Sequence, residues 1–507
     1  MSPSRAVKQA KRITTGKGPK RLANSSDDSC SEDKSSQKKR AKKETLHCEV
    51  HTIHNFSTEE GDNFTSSLLT WYHRNKRDLP WRSLSENLSP TDRAYSVLVS
   101  EVMLQQTQVA TVIPYYTKWM ARWPTFHHLA QASLNDVNEV WSGMGYYSRA
   151  RRLWEAAKKV DGELNNQVPL TSTQLQEKLP GVGRYTAGAV ASIAFGERAA
   201  AVDGNVIRVL SRVRCIGADQ TSKVVLDHIW KLSDQLVSTE EPGNYNQAMM
   251  DLGATICTPK KPSCNSCPVS QVCGAYQRVQ LTNPLKELQA GSKPDVFDIE
   301  DASCNLCLKS MWDKSLGVMN FPQKSKKNPP RKEVTLVCVF HVTNSNEKEF
   351  LVTKRPEGGL LAGLWEFPSL LFEGFRDEDD RNEEISKLKK SLHERWGVSK
   401  SVSQLLYVAD VPHIFSHIHQ MYAVYSMKLT CKDDISCNKI EQEVKWMTSD
   451  QILSSAISTA MKKVFKAVSS SEKKTFGNLT KGHSKSKQAS EAKNTRKLSD
   501  FFQKVPK

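Results

Sequence analysis

Apolar positions are spread unevenly along the 507-residue chain, and their spacing changes character twice. Residues 1 to about 45 are rich in Lys, Ser and Asp and hold few large apolar side chains, a composition that cannot offset the entropy of ordering. From Phe64 the pattern becomes helical: FTSSLLTWYHRN carries apolar residues at helical spacing until Leu79-Pro80-Trp81-Arg82 interrupts it. A further helix is expected near Asp92 to Gln108. Between Leu179 and Asp203 the order is helix end, tight turn and second helix, the last over Tyr185 to Phe195. Pro180 closes the first helix, and Gly181 and Gly183 allow the turn its backbone. Residues 277–330 are polar and rich in Pro and Lys, the composition of a connector. From Val334 a strand pattern takes over. VTLVCVFHV and KEFLVTKR pair across TNSNE, a charged helix follows near Asp380 to Trp396, and LLYVADV and HQMYAVYSMKL are further strands.

Charge refines this division. Of the formal net +17, residues 1–43 carry +9 and residues 461–507 carry +10, so residues 44–460 are close to neutral at −2. Basic tails tether a protein to nucleic acid or direct it to the nucleus, and say nothing about what the folded part binds. KKRAKK (Lys38 to Lys43) has the form of a nuclear-import signal. The first 22 residues are basic without an acidic residue, which makes a mitochondrial pool the alternative location. No apolar run is long enough to span a membrane. Twelve cysteines in so long a chain do not form a disulfide framework, and a reducing compartment fits them best.

Three groups of residues carry chemistry. Glu101 lies four residues after Val97 and three before Leu104, on an apolar helix face. A carboxyl held there should have a raised pKa, as a proton donor at neutral pH requires, although a glutamate at the edge of a solvated face fits the same spacing. The Gly181–Gly183 turn opens onto a helix N-terminus, whose unpaired N–H groups suit a phosphate, although an ordinary helical hairpin fits the same pattern. Cys257, Cys264, Cys267 and Cys273 follow a C-x6-C-x2-C-x5-C spacing. Four such thiolates suit zinc or an iron–sulfur cluster, with two disulfides as the plainer alternative, and spacing alone does not choose. Cys304 and Cys307 form a separate CxxC pair.

These strings recur in the order of a known family. SEVMLQQTQV, GMGYYSRARRL, LPGVGRYTAGA, VDGNVIRVLSR and NQAMMDLGATIC resemble the adenine-specific MutY branch of the endonuclease III-like, helix-hairpin-helix DNA glycosylases, over residues 64–275. The resemblance implies a multidomain chain: an all-α helix-hairpin-helix glycosylase domain with a 4Fe–4S cluster loop, and an α+β Nudix-like C-terminal domain. The expected divisions are a basic tail at 1–60, the helical domain at 61–276, a connector at 277–332, the Nudix-like domain at 333–468, and a basic tail at 469–507. KKSLHERWGV lacks the dense glutamate cluster of a Nudix hydrolase, so no pyrophosphatase activity is expected.

By the same resemblance Glu101 protonates adenine at N7, Asp203 stabilises the oxocarbenium ion, and Tyr185 and Asn205 orient the site. Bifunctional relatives place a lysine at position 185. Its replacement by Tyr185 implies base removal without efficient strand cleavage. Cys257, Cys264, Cys267 and Cys273 match the ligands of the 4Fe–4S cluster, whose loop brings Lys260 and Lys261 to the DNA backbone. Gln106 and Tyr146 match the side chains that wedge into the duplex, with Gly181 and Gly183 contacting DNA. Arg77, Leu79, Trp81, Leu104 and Gln247 map near the adenine pocket. Phe415, Ser416 and His417 match the loop that reads 8-oxoguanine. Zinc in the connector needs more ligands than Cys304 and Cys307, with His54 or Cys215 as candidates.

The partners implied are duplex DNA with adenine:8-oxoguanine mispairs, an abasic-site endonuclease and a checkpoint ring clamp. Leu498, Phe501 and Phe502 resemble a sliding-clamp-binding box in which Thr495 replaces the usual Gln. The chain is expected to be a nuclear monomer. A glycosylase-lyase for oxidised pyrimidines or mismatched thymine, and a catalytically silent damage reader, are the rival readings.

Overall fold

The computed structural model describes residues 52–83, 88–281, 300, 303–323, 328–344, 347–356, 358–359, 361–373, 381–398, 404–435 and 442–479. The Lys38–Lys43 run and the Leu498, Phe501, Phe502 box lie outside them. Every contact below lies within the compact unit that begins at Ile53.

The first part is helical. Helix α1 (Thr58–Asn75) starts at a capping box in which Ser57 and Glu60 bond each other's backbone. A single turn, α2 (Pro80–Ser83), leads to α3 (Pro90–Leu104), capped by Ser89 with proline in its first turn. Then come α4 (Val109–Arg122), α5 (Phe126–Ala130), α6 (Leu134–Trp141), α7 (Ser148–Gly162), α8 (Ser172–Lys178) and α9 (Arg184–Phe195). Their apolar faces converge on one core around Trp119, Trp141, Tyr95 and Tyr116. Helix α3 is buried on nearly every side, so its run from Ala94 to Met103 reads as continuously apolar apart from Ser96, Ser100 and Glu101.

A second core joins α1 to α10 (Gly204–Val213), α11 (Lys223–Leu236), α12 (Pro242–Thr255) and α13 (Gly274–Leu281). Cys304, Cys307, Leu308, Val318 and Phe321 belong to this core too. Part of the expected connector is therefore packed structure: its few apolar residues are grouped well enough to bury. The boundary expected at residue 61 likewise falls inside α1.

The C-terminal part is one seven-stranded sheet of β1 (Arg331–Asn344), β2 (Glu347–Lys354), β3 (Trp365–Glu366), β4 (Ser369–Phe372), β5 (Leu406–Ile414), β6 (Ile418–Lys428) and β7 (Val444–Thr448). The order is β3-β2-β1-β6-β5, with β4 on β1 and β7 on β2. Strands β1 and β6 are parallel and the other pairs antiparallel. Alternation along β1 sends Val337 and Val339 to one face, where Val464, Phe465 and Val468 of α16 (Thr459–Leu479) cover them. Leu336, Cys338 and Phe340 face Leu388, Leu392 and Trp396 of α14 (Asn382–Trp396) on the other side. A short α15 (Ser449–Ser454) precedes α16, which runs past the boundary expected at 468. Leu364 and Ala456 of this sheet domain lie in the first helical core, so hydrophobic contact joins the two domains. No helix among the described residues is long and apolar enough to cross a membrane.

Candidate active site

Glu101 is 6% exposed, on the buried face of α3. Tyr185 is in the first turn of α9, and its hydroxyl donates a hydrogen bond to Glu101 Oε2 while lying 3.6 Å from Met250 Sδ on α12. Burial raises the Glu101 carboxyl from 4.5 to about 7; the Tyr185 bond opposes this, Asp203 adds to it, and Arg82 opposes it. Burial, with the Glu101 charge, also pushes the Tyr185 phenol well above its ordinary value.

Asp203 is the N-cap of α10. Its Oδ1 accepts the backbone N–H groups of Asn205 (2.9 Å) and Val206 (2.8 Å), and its Oδ2 accepts Asn205 Nδ2 at 2.6 Å. Burial raises this carboxyl, while those three donors and Arg208 favour the anion. Asn205 is itself held, accepting from Arg208 Nη2 at 2.7 Å. Gly253 of α12 lies behind it, where an added Cβ would come within 2.5 Å of Asn205 Cβ.

A cavity of about 510 Å³ opens beside Glu101. Arg77, Leu79, Trp81, Leu104 and Gln247, the five residues mapped to an adenine pocket, all line it. Arg77 and Arg82 both bond Asp251, which is fully buried: Arg77 Nη2 is 2.6 Å from Oδ1 and Arg82 Nη1 is 2.8 Å from Oδ2. Arg77 is thus one of two arginines in an ion-pair cluster that shapes the wall. The lining mixes charged and polar side chains, among them Lys76, Asp78, Arg93 and Asn244, with apolar ones such as Leu79, Trp81, Val97 and Leu104, which offers a planar heterocycle both stacking surface and hydrogen-bond partners.

Gln106 (φ +55°) and Tyr146 (φ +50°) both adopt left-handed backbone that side chains other than glycine seldom take. Both are exposed, Tyr146 at 45%. Gly181 has φ +76°, and a Cβ there would strike Arg152 Cβ at 2.7 Å, so the hairpin turn requires glycine. Gly183 is the N-cap of α9, with extended backbone and open space around it. Phe415, Ser416 and His417 form the β5–β6 hairpin loop. With Tyr146, Arg151 and Arg152 of the helical domain they line a cleft of about 660 Å³. His413 packs edge-on against Phe415 at 4.5 Å, and Ser416 Oγ lies 3.1 Å from His417 Nδ1.

Two families match the chain: the HhH-GPD superfamily base excision DNA repair proteins over residues 99–235, and the NUDIX domain over 338–467. The adenine DNA glycosylase of Mus musculus is 48% identical over 438 residues, 84% of this chain and 82% of that protein. The chain belongs to the adenine DNA glycosylase family. The Homo sapiens enzyme is 47% identical over 83% of this chain and 77% of its own length, and that of Schizosaccharomyces pombe 39% identical over 75% and 86%. The chain is accordingly a base excision repair N-glycosylase, its helical domain followed by a Nudix-like one.

In this glycosylase Cys257, Cys264, Cys267 and Cys273 line one pocket and form no disulfide. Arg212 Nη1 lies 3.2 Å from Cys257 Sγ and bonds the Thr258 carbonyl at 2.8 Å. Four thiols converging on one space, with a guanidinium against them, fit a cluster with net negative charge. Lys260 and Lys261 are exposed on the same loop. A second sulfur group unites distant residues: one ligand atom from each of His54, Cys304 and Cys307 lies within 4.8 Å of the others. His54 Nε2 is 3.3 Å from Cys307 Sγ while Nδ1 bonds the Arg214 carbonyl at 2.9 Å, which fixes the ring's orientation and leaves Nε2 turned toward the thiols. Cys215 is buried but is outside this group.

Sequence reasoning did not single out Arg208, Asp251 or Arg149. Arg208 had a signal, sitting three residues after Asn205 on one helix face. Asp251 had none, since nothing local distinguishes a buried ion-pair partner from a surface aspartate.

Proposed function

We propose that this glycosylase removes adenine paired with 8-oxoguanine, and does so without efficient strand cleavage. The observation that carries the reading is the Tyr185 hydroxyl bonded to a buried Glu101 that lines a cavity roomy enough for a flipped base. Extruding adenine from the duplex costs on the order of a few kcal/mol and delivers the base to that cavity. With its pKa near 7, Glu101 is partly protonated at neutral pH. Tyr185 donates to one of its oxygens, which leaves the other for the proton passed to adenine N7. Protonated adenine departs as positive charge grows on the sugar. Asp203, whose anionic form the α10 N-terminus and Asn205 favour against burial, faces that charge. A tyrosine at 185 offers no amine for a Schiff base, so water completes the reaction and the strand stays intact.

Selection for 8-oxoguanine is assigned to Phe415, Ser416 and His417, supported by their sharing a cleft with Tyr146. Gln106 and Tyr146 wedge into the duplex, and Gly181 and Gly183 approach its backbone. The four clustered cysteines hold a 4Fe–4S cluster that shapes the Lys260–Lys261 loop, and His54, Cys304 and Cys307 hold zinc with one position left for a fourth ligand. Sliding-clamp binding through Leu498, Phe501 and Phe502, and nuclear import through Lys38–Lys43, belong to the same reading and rest on sequence strings alone.

The test is a single-turnover reaction on duplexes with adenine opposite 8-oxoguanine or opposite cytosine, developed with and without alkali. Alkali-dependent breaks confined to the 8-oxoguanine duplex are expected. Breaks without alkali would overturn the role of Tyr185. Equal release from both duplexes would overturn the second domain's role. Asp203→Asn is expected to abolish release and retain binding to the lesion.

A further inference from the structure

The two left-handed residues Gln106 and Tyr146 come from different segments, and a single side chain reaches both. Arg149, 8% exposed in the first turn of α7, sends Nη1 to the carbonyls of Val102 (2.9 Å) and Met103 (3.0 Å), and also to that of Gln105. These are the carbonyls left unpaired at the C-terminus of α3, the helix that carries Glu101. Nη2 bonds Thr107 Oγ1 and the Gly145 carbonyl, each at 3.2 Å. Its bonds thus flank Gln106 on both sides and end next to Tyr146. The guanidinium also lies over the rings of Trp141 and Tyr146, 5.3 Å from each centroid.

We infer that Arg149 is a positioning residue that locks Gln106 and Tyr146 together as one rigid wedge, in fixed register with the catalytic helix α3. The inference rests on the wedge role given to those two residues above. Left-handed backbone persists at residues other than glycine only where surrounding bonds enforce it. Here one planar guanidinium fork enforces it at both residues. Arg149 does not touch Glu101, so its effect belongs to the opening of the duplex and not to proton transfer.

The test uses full-length, iron-loaded protein and a duplex with 2-aminopurine beside the target adenine, whose fluorescence reports unstacking. Arg149→Gln is expected to suppress the unstacking signal and slow single-turnover release by about 10- to 100-fold, the scale of a misplaced positioning group. The pH dependence of release should stay where it is, whereas a general loosening of α3 would move it by changing the surroundings of Glu101. Adding Tyr146→Gly to Arg149→Gln should cost little more than Arg149→Gln alone. Should Arg149→Gln fail to fold, Arg149→Lys keeps the charge and loses the fork, and the same cycle applies to it. Wild-type unstacking in the arginine variants, or losses that simply multiply with Tyr146→Gly, would overturn the inference. Normal unstacking in Tyr146→Gly alone would instead overturn the wedge reading beneath it, a separate failure.

Discussion

Glu101→Gln should make this glycosylase inactive and, at neutral pH, more stable. The Glu101 carboxyl has its pKa raised in the fold from 4.5 to about 7, chiefly by burial. Between those two values the unfolded chain releases a proton that the folded one retains, so stability falls as pH rises through that window and levels off above it. The gap is worth roughly 1.4 kcal/mol per pH unit, or about 3 kcal/mol in all. Measured from pH 5 to pH 8, after part of the window has passed, the expected change is about 2.5 kcal/mol. Glutamine keeps the shape and an oxygen for the Tyr185 hydroxyl, but does not ionise. The stability difference between variant and wild type should therefore grow in favour of the variant from pH 5 to about 7 and then stay constant. Denaturant unfolding of the helical-domain signal at half-unit pH intervals measures it, with iron content checked at each pH. Single-turnover release of adenine by the wild type should decline as pH rises past about 7, matching the loss of the proton from Glu101. Parallel stability profiles for the two proteins would refute the account, because they would mean that Glu101 ionises in the fold as freely as in the unfolded chain.

Gly253→Ala places a methyl within 2.5 Å of Asn205 Cβ and should displace the amide that holds Asp203, slowing single-turnover release on the order of 100-fold with lesion binding retained. Asp251→Asn leaves Arg77 and Arg82 without their buried anion and should cost about 3–5 kcal/mol in denaturant unfolding. Burial works against the Asp251 charge, yet Arg82 and then Arg77 hold its carboxyl below the ordinary range. The stability it brings is therefore present above pH 3.8, and in the wild type is lost as pH falls through the depressed value. Cys307→Ser, and separately His54→Ala, should lower the zinc content of purified protein while leaving its iron unchanged, as elemental analysis would measure.

Much of this enzyme was legible from its residues in order. The change from helical to alternating apolar spacing located both domains, because each period follows from local backbone geometry and needs no knowledge of the fold. The glycine turn, the cysteine spacing and the absence of lysine at position 185 are local facts of the same kind. The apolar face of α3 likewise drew attention to Glu101. What faced it across space was another matter. Tyr185 is 84 residues away and His54 is 253 residues from Cys307, distances over which the chain carries no periodic signal. Only packing decides which groups lose their water together, so the Tyr185 bond to Glu101, the Asp251 cluster and the apolar folding of residues 304–321 appeared only with the tertiary structure. The sequence by itself determined which side chains were available for chemistry. Their pKa values, partners and alignment came from desolvation and contact, which belong to the folded neighbourhood of a residue and not to its position in the chain.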